Sequence, residues 1–277
     1  MVHSIHVRMM KLVPFVELNR QKLNWTMLSY NKSPAIVHLL RDRTDINWFA
    51  LSANTSDIHL LDANPDKICW AMLSQNPAAI HLLEANPDKI NWILLSTNPA
   101  AIHLLETNPD KINWDSLSMN PSAIHLLEAN PEKINWEYYL SMNPAAIHLL
   151  EANQDKIFWP WLSQNPAAIH LLEANPEKID WPWLSENPAA IHLLEANPDK
   201  IDWDMLSRNP AAIHLLEANP DKINWNRLSM NPAIFAYDYE KMKQHMFESG
   251  IAEGIIANRM HPRNADKWDD WGLGFDQ

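Results

Sequence analysis

Glycine is almost absent from this sequence. The 277 residues contain four glycines, at positions 250, 254, 272 and 274, so the first 249 residues form their turns without glycine. Twenty prolines replace it, and most of them follow asparagine. Asparagine as an N-cap, with proline at the first helical position, begins a helix readily. The pattern therefore predicts short helices separated by Asn-Pro turns.

Cysteine, long apolar runs and phosphate-binding loops are also lacking. The single cysteine, Cys69, excludes an intramolecular disulfide framework and fits a reducing compartment. The sequence contains no zinc-type cysteine spacing and no glycine-rich phosphate loop. Neither an 18-residue apolar stretch nor a signal-peptide core is found. We therefore expect no membrane span, no secretion, no cofactor and no metal site.

The negative charge lies in the middle of the chain. The net charge is −12, and residues 1–24 carry +3 while residues 233–277 carry −3, so residues 25–232 also sum to −12. A surface of this sign repels phosphate backbones, and nucleic acid is therefore not an expected partner.

Tryptophan marks an internal period of 22 residues. The cleanest copy is NPAAIHLLEANPDKINWILLST, from Asn76 to Thr97. One longer step contains an extra residue in Glu137-Tyr138-Tyr139, and a degenerate copy begins near Glu17. The periodic tryptophans are Trp25, Trp48, Trp70, Trp92, Trp114, Trp136, Trp159, Trp181, Trp203 and Trp225.

Each copy predicts two short helices. The first is expected at about Pro77 to Ala85, because the residue before a proline disfavours helical geometry. Pro182 follows Trp181 in one copy and would clash inside a helix that began at Pro176. We therefore expect a turn at each Pro-Asp-Lys, followed by a second helix that begins at the tryptophan.

Helices this short are unstable alone and need cover from neighbouring copies. The predicted fold class is all-α: an α-solenoid of about ten two-helix repeats with a helical C-terminal cap. We expect residues 1–24 to form an N-terminal segment with a degenerate capping repeat, 25–232 the solenoid, and 233–277 the cap and tail. With layers about 8–10 Å apart, the copies would form a rod on the order of 90 Å long.

The copies NPAAIHLLEANPDKINWxxLS, followed by NPAIFAYDY and later by MHPRN with Trp268, resemble a known family. They are similar to the 22-residue repeat proteins of giant nucleocytoplasmic DNA viruses, which infect algae and amoebae. The resemblance covers nearly the whole chain. It implies helical repeats and a viral origin, and it carries over no catalytic residues.

Histidine recurs at one position of the repeat. Zinc would need its ligands about 2 Å from one ion, whereas successive copies are roughly 8–10 Å apart. We therefore expect each imidazole to bond to a neighbouring backbone carbonyl or asparagine in a half-buried place, and the array to loosen near pH 5. The histidines are His38, His59, His81, His103, His125, His148, His170, His192 and His214.

Variable positions are the candidates for partner binding, because fixed positions in a solenoid serve stacking. They are the two positions after each tryptophan and the one after each serine. Tyr138, Tyr139, Trp161 and Trp183 fall there in three consecutive layers. They are either a protein-binding ridge or core filling beside neighbouring leucines, which we slightly favour.

The tail offers a second candidate. Trp268 and Trp271 lie among acids and glycines, in either a loose tail or a docking peptide. Our partner-binding hypothesis therefore comprises Tyr138, Tyr139, Trp161, Trp183, Trp268 and Trp271.

The sequence predicts a non-enzymatic scaffold that binds protein partners, such as capsid proteins. Given the resemblance, we expect it in a virion or in the virus factory of the host cytoplasm, as a minor capsid-associated component. An intracellular adaptor that binds a host protein through the variable ridge is the alternative. A third, an enzyme centred on His261, finds no paired base or nucleophile nearby.

Overall fold

The computed structural model describes residues 9–40, 43, 46–56 and 58–250. The chain forms two units: a repeat body, Leu12–Ile234, and a terminal unit made of Met1–Lys11 and Phe235–Gln277. The repeat body therefore extends into both segments that the sequence pattern assigned to the termini.

Each repeat begins with asparagine, a 3₁₀ turn and a short α-helix, here called the A helix. The A helices are Pro14–Leu18, Ile36–Leu40, Ile58–Asp62, Ile80–Glu84, Ile102–Thr107, Ile124–Ala129, Ile147–Glu151, Ile169–Ala174, Ile191–Ala196 and Ile213–Ala218. The preceding 3₁₀ turns in the described residues are Pro77–Ala79, Pro121–Ala123, Pro144–Ala146, Pro166–Ala168, Pro188–Ala190, Pro210–Ala212 and Pro232–Ile234.

A second 3₁₀ turn leads to the second helix, here called the B helix. These turns are Arg20–Lys22, Pro65–Lys67, Pro87–Lys89, Pro109–Lys111, Pro131–Lys133, Gln154–Lys156, Pro176–Lys178, Pro198–Lys200 and Pro220–Lys222. The B helices are Trp25–Leu28, Trp48–Ser52, Trp70–Leu73, Trp92–Leu95, Trp114–Ser118, Trp159–Gln164, Trp181–Glu186, Trp203–Leu206 and Trp225–Met230, with a 3₁₀ helix, Tyr139–Met142, in one repeat.

The predicted α-solenoid of two-helix repeats is confirmed, and its local causes are visible. The turn at Pro87–Lys89 separates the two helices of its repeat, as the position of Pro182 required. The side chain of Asn91 accepts a hydrogen bond from the backbone N–H of Leu94 and caps the B helix.

The core consists of small and aliphatic side chains between neighbouring repeats. Ala79, Leu83 and Leu95 are fully buried, as are most of their equivalents. Ile80 and Trp92 are half-buried. Loss of one such leucine costs about 2–5 kcal/mol, so stacking supplies the stability that single repeats lack.

A line of buried asparagines, here called the asparagine ladder, joins the repeats. Asn120 accepts a hydrogen bond from the backbone N–H of Ser122. Its Nδ2 donates to the carbonyl oxygens of Ser96 and Asn98 in the preceding repeat, both at 3.0 Å. The asparagines that donate to the preceding serine carbonyl, among the described residues, are Asn31, Asn54, Asn76, Asn98, Asn120, Asn143, Asn165, Asn187, Asn209 and Asn231. Because most of these buried amides use both donors and the acceptor, they fix the spacing of the repeats.

A buried serine adds a second connection. The hydroxyl of Ser96 donates to the carbonyl oxygen of Trp92 at 2.8 Å, and its Oγ accepts from the backbone N–H of Asn113 in the next repeat at 3.0 Å. This serine thus links the end of one B helix to the start of the next.

The asparagine ladder does not end at the last repeat. Asn31 donates to the carbonyl oxygens of Ser229 and Asn231 at 2.9 and 2.8 Å. The backbone N–H of Asn24 donates to Ser229 Oγ at 2.9 Å, which is the serine connection of the other repeats. The first repeat therefore packs against the last one in the way that each repeat packs against its predecessor. The repeat body is a closed ring of ten repeats.

Lysine and tryptophan form a third connection, which also closes. Lys111 lies over the ring of Trp92 in the preceding repeat, 4.6 Å from its centroid, and seven interior pairs of this kind span 4.3–4.6 Å. At the closure, Lys22 lies over Trp225 at 5.1 Å. Each such cation–π pair contributes about 0.5–1 kcal/mol when exposed.

Both ends of the chain contribute to the tenth repeat. Val13 precedes the tryptophan of its repeat by twelve residues, as Ile80 does, and Ile234 follows the asparagine of its repeat by three residues, as Ala79 does. The backbone N–H of Val13 donates to the carbonyl oxygen of Ile234 at 2.9 Å. The tenth repeat thus has a hydrogen bond where the other repeats have a peptide bond.

The predicted rod is therefore wrong. Its two ends would lie on the order of 90 Å apart, whereas they are hydrogen-bonded here. Neighbouring B helices approach one another more closely than neighbouring A helices do, so each repeat is a wedge. Ten equal wedges of about 36° close a circle, and a repeat period alone does not reveal this angle.

The terminal unit contains two short strands and one helix in its described residues. The strands β1 (Met10–Leu12) and β2 (Phe235–Tyr237) form a two-stranded sheet. The helix Tyr239–Glu248 follows, capped by Asp238, and none of its side chains is buried. A hydrogen bond from Lys11 holds the pKa of Asp238 below its usual value.

Ring closure has a direct thermodynamic test. We expect Asn31→Ala and Asn120→Ala to lower the free energy of unfolding by similar amounts, about 2–3 kcal/mol, because each removes the same buried hydrogen bonds. Urea unfolding of both variants measures this. An open array predicts a loss of only about 1 kcal/mol for Asn31→Ala, since only its contact with Ser33 would remain.

Candidate functional site

The variable positions of the repeats lie on the B helices. Many of them pair with the neighbouring repeat: Glu186 Oε1 is 3.0 Å from Arg208 Nη1, and Asp204 forms an ion pair with Arg227. Asn135 donates to Asp115 at 2.7 Å. The variable side chains therefore differ in chemistry but often serve the contact between adjacent repeats.

One group of side chains forms aromatic ring contacts between adjacent repeats. Tyr138, Tyr139, Phe158 and Trp161 form a set of ring contacts, here called the aromatic cluster. The ring centroids of Tyr138 lie 5.1 Å from Phe158 and 5.7 Å from Trp161, and Tyr139 lies 5.5 Å from Trp161. Phe158 and Trp161 meet edge to face at 5.8 Å. These distances are typical of favourable aromatic pairs.

An inserted residue exposes the first side of the cluster. The backbone N–H of Leu140 bonds to the carbonyl of Asn135, five residues earlier, whereas Leu95 bonds to Asn91, four residues earlier. The extra residue is therefore taken up as a π-type bulge, and the B helix becomes the 3₁₀ helix Tyr139–Met142. Tyr138 is 39% exposed as a result.

A lost helix cap forms the second side. Phe158 stands at the N-cap of the next B helix, where most other repeats have asparagine or aspartate, and no side chain caps that helix. Such a replacement costs about 1 kcal/mol of helix stability. Two adjacent repeats thus depart from the common pattern, and both departures place aromatic rings at one surface.

An acidic side chain lies beside the aromatic cluster. Glu137 hydrogen-bonds the hydroxyl of Tyr138 and holds the pKa of that phenol above its usual value, with the negative charge of Glu137 adding to the effect. Since the phenolic hydrogen is donated to Glu137, the hydroxyl oxygen can accept a hydrogen bond from a partner.

The structure places the predicted partner-binding residues unevenly. Tyr138 is exposed, and Tyr139, Trp161 and Trp183 are half-buried. Trp183 lies one repeat further on and is not part of the aromatic cluster. Full burial of both tryptophans would have excluded the binding hypothesis, which stays a prediction. Trp268 and Trp271 lie outside the described residues, as does His261.

Phe158 is the member of the cluster that the sequence analysis missed. It was missed because it lies directly before the tryptophan, outside the variable positions that were considered as candidates. The sequence did contain a signal. The residue directly before the tryptophan is asparagine or aspartate in every copy except those with Cys69 and Phe158.

The histidine row has a different partner from the one expected. His103 Nε2 lies 2.9 Å from Glu84 Oε1 of the preceding repeat, and its side chain is more than half exposed. The equivalent pairs, over 2.7–2.9 Å, are His125–Glu106, His148–Glu128, His170–Glu151, His192–Glu173 and His214–Glu195. The expected bonds to backbone or asparagine are wrong, because the A helices spread apart in the outer layer and a long acidic side chain bridges the gap.

The loosening near pH 5 stays a prediction. A carboxylate only accepts, so Nε2 carries the hydrogen that joins the two side chains.

Within the described ranges, no group of three or more histidine, cysteine, aspartate or glutamate side chains is placed to hold a metal ion. No helix in the same ranges is long and apolar enough to cross a membrane.

The repeat body is thus a closed ring of α-helical repeats. Three variable side chains and Phe158 form its aromatic cluster. Comparison of the chain with known protein families, with curated proteins and with solved structures gives no match.

The inserted residue can be tested by deletion. We expect removal of Glu137 to leave the free energy of unfolding within about 1 kcal/mol, because it restores the 22-residue spacing that the bulge absorbs. Removal of Leu94 from an ordinary repeat is the matched control. It shifts Ser96 and Asn98 out of their bonds and should cost on the order of 4 kcal/mol. Equal losses in urea unfolding would contradict the bulge.

Proposed function

We propose that this protein is a non-enzymatic scaffold whose ring presents the aromatic cluster to a protein partner. The observation that carries the proposal is the coincidence of two costly departures from the repeat, the bulge at Tyr138 and the uncapped helix at Phe158. Departures of this kind are typical of functional positions, where local rules are broken for a gain elsewhere.

The roles of the fixed side chains support a scaffold. The repeated asparagine, serine, histidine and lysine side chains are engaged with the neighbouring repeat, as Asn120, Ser96, His103 and Lys111 show. Their chemistry therefore serves the assembly of the ring. A ring held at ten interfaces is a rigid support, which lowers the ordering cost of binding.

The composition of the aromatic cluster supports a protein partner. Tyrosine and tryptophan are enriched among the residues that contribute most to protein interfaces, because they bury large areas at little conformational cost. Tyr138 in addition offers a hydroxyl group at the exposed edge. The charge of −12 on residues 25–232 disfavours nucleic acid as the partner.

The biological setting follows from the resemblance to repeat proteins of giant DNA viruses. We propose a minor capsid-associated component, located in the virion or in the virus factory of the host cytoplasm, with capsid proteins as partners. An intracellular adaptor would use the same aromatic cluster to bind a host protein. Mass spectrometry of purified particles separates the two, since a virion component is present at constant stoichiometry and an adaptor is absent.

Site-specific photocrosslinking tests the binding surface. With p-benzoylphenylalanine in place of Tyr138, we expect one protein adduct of defined mass in infected cells or particles. The same group in place of Phe49 is the matched control, because Phe49 is an exposed aromatic residue on another B helix. Trp161→Ala should weaken partner binding about 30-fold, as expected for an interface anchor. Equal adducts from both positions, or no effect of Trp161→Ala, would contradict the proposal.

A further inference from the structure

A cavity beside the aromatic cluster crosses four consecutive repeats and has a volume of about 260 Å³. The residues that follow the buried serines of these repeats contribute to its lining: Met142, Gln164, Glu186 and Arg208. Trp161, Pro188 and Pro210 add an apolar part to the lining. Trp161 therefore belongs both to the aromatic cluster and to the cavity.

The ring sets the spacing of the positions that line this cavity. Equivalent residues of adjacent repeats lie about 8–10 Å apart, because packed helices keep that distance. A polyproline II segment has three residues per turn and rises about 3.1 Å per residue, so every third side chain faces the same way at intervals of about 9 Å. An α-helix repeats a face about every 5.4 Å and a β-strand about every 7 Å. A polyproline II segment therefore matches one of its periods to one repeat of the ring.

Accessible hydrogen-bond donors lie beside Trp161. Within the described part of the chain, the side chain of Gln164 has no hydrogen-bond partner, whereas Gln75, at the equivalent position of another repeat, donates to a methionine sulfur at 3.7 Å. The side chain of Arg208 is 41% exposed, and its Nη1 lies 3.0 Å from Glu186 Oε1, which leaves further N–H groups of the guanidinium. Both side chains can therefore donate to backbone carbonyl oxygens, which a polyproline II segment leaves without internal partners.

The charges and the apolar lining limit the ligand further. Glu186 neutralises Arg208, and residues 25–232 carry −12, so an anionic group is disfavoured. The side chains of Trp161, Pro188 and Pro210 offer apolar contact but no acceptor for a backbone N–H. Proline combines a carbonyl group with an apolar ring and has no N–H, so it leaves no donor unpaired against this wall.

We propose that the cavity and the adjoining aromatic cluster bind a proline-rich segment of the protein partner in the polyproline II conformation. Its proline rings pack on Trp161 and Tyr139, whose rings lie 5.5 Å apart at 48°, and its carbonyl groups accept from Gln164 and Arg208. Aromatic grooves suit such segments because the conformation is preformed and costs little entropy to order. This inference rests on the proposed docking of a protein at the aromatic cluster and names the chemistry of that partner.

Two peptides of the same composition test the spacing. The full chain is labelled with 5-fluorotryptophan, and Trp161→Phe assigns the Trp161 resonance. The peptide acetyl-Ala-Pro-Ala-Ala-Pro-Ala-Ala-Pro-Ala-amide, with proline at every third position, should shift this resonance saturably with a Kd of roughly 1 mM or below. The isomer acetyl-Ala-Ala-Pro-Ala-Pro-Ala-Pro-Ala-Ala-amide should bind at least about 5-fold more weakly, because its prolines do not share one face.

Substitutions at two equivalent glutamines locate the binding. Gln164→Ala should weaken binding of the first peptide about 5-fold, since one hydrogen bond is lost. Gln75→Ala, in a repeat outside the aromatic cluster, should leave the Kd unchanged. Thermal melts of both variants check that they fold.

Absence of a saturable shift, equal binding of the two peptides, or equal effects of the two glutamine substitutions would overturn the proposal. The outcomes also separate it from the proposed function. A protein adduct from Tyr138 without peptide binding overturns the proline-rich ligand alone, whereas peptide binding without any adduct overturns the docking of a protein at the aromatic cluster.

Discussion

The buried side-chain amide of asparagine is the interaction on which this fold depends. In each repeat it accepts from its own turn and donates to the carbonyl groups of the preceding repeat, as Asn120 does. A buried amide must use these groups or lose roughly 1–3 kcal/mol for each one left unpaired. The repeats can therefore stack at one spacing only. The same spacing continues through all ten repeats. Asn31 then donates to the carbonyl oxygen of Asn231, and the hydrogen-bonded array closes into a ring.

Period and helix number could be predicted from the sequence, because proline and asparagine determine them locally. The first boundary was less accurate, because the helix expected from about Pro77 begins at Ile80, after the 3₁₀ turn Pro77–Ala79. The position of Pro182 was enough to separate the two helices of the repeat. Curvature could not be predicted. It depends on a small difference in thickness between the layers of A and B helices, and the sum of ten small angles decides between a rod and a ring. The histidine partners were missed for the same reason, since only the curvature shows that the outer layer leaves room for a Glu84–His103 bridge.

Comparison of the repeat copies predicted some residues of the candidate site and missed others. Tyr138, Tyr139 and Trp161 were found because they differ from the other copies, and the structure brings them together. Phe158 also differs from its equivalents in the other copies, but it lies outside the variable positions that were considered as candidates. Fixed positions thus explain the ring, and the positions that depart from the repeat are the candidates for partner binding.

Closure of the ring is the central claim, and a distance between the first and last repeats tests it most directly. Gln21 and Asp221 are equivalent exposed positions in these two repeats, and Cys69→Ser removes the native thiol. Double electron–electron resonance between spin labels at Gln21→Cys and Asp221→Cys should give one narrow distribution centred at roughly 15–25 Å, the separation of adjacent repeats plus the label arms. A broad distribution, or one beyond about 60 Å as an open rod requires, would contradict the account.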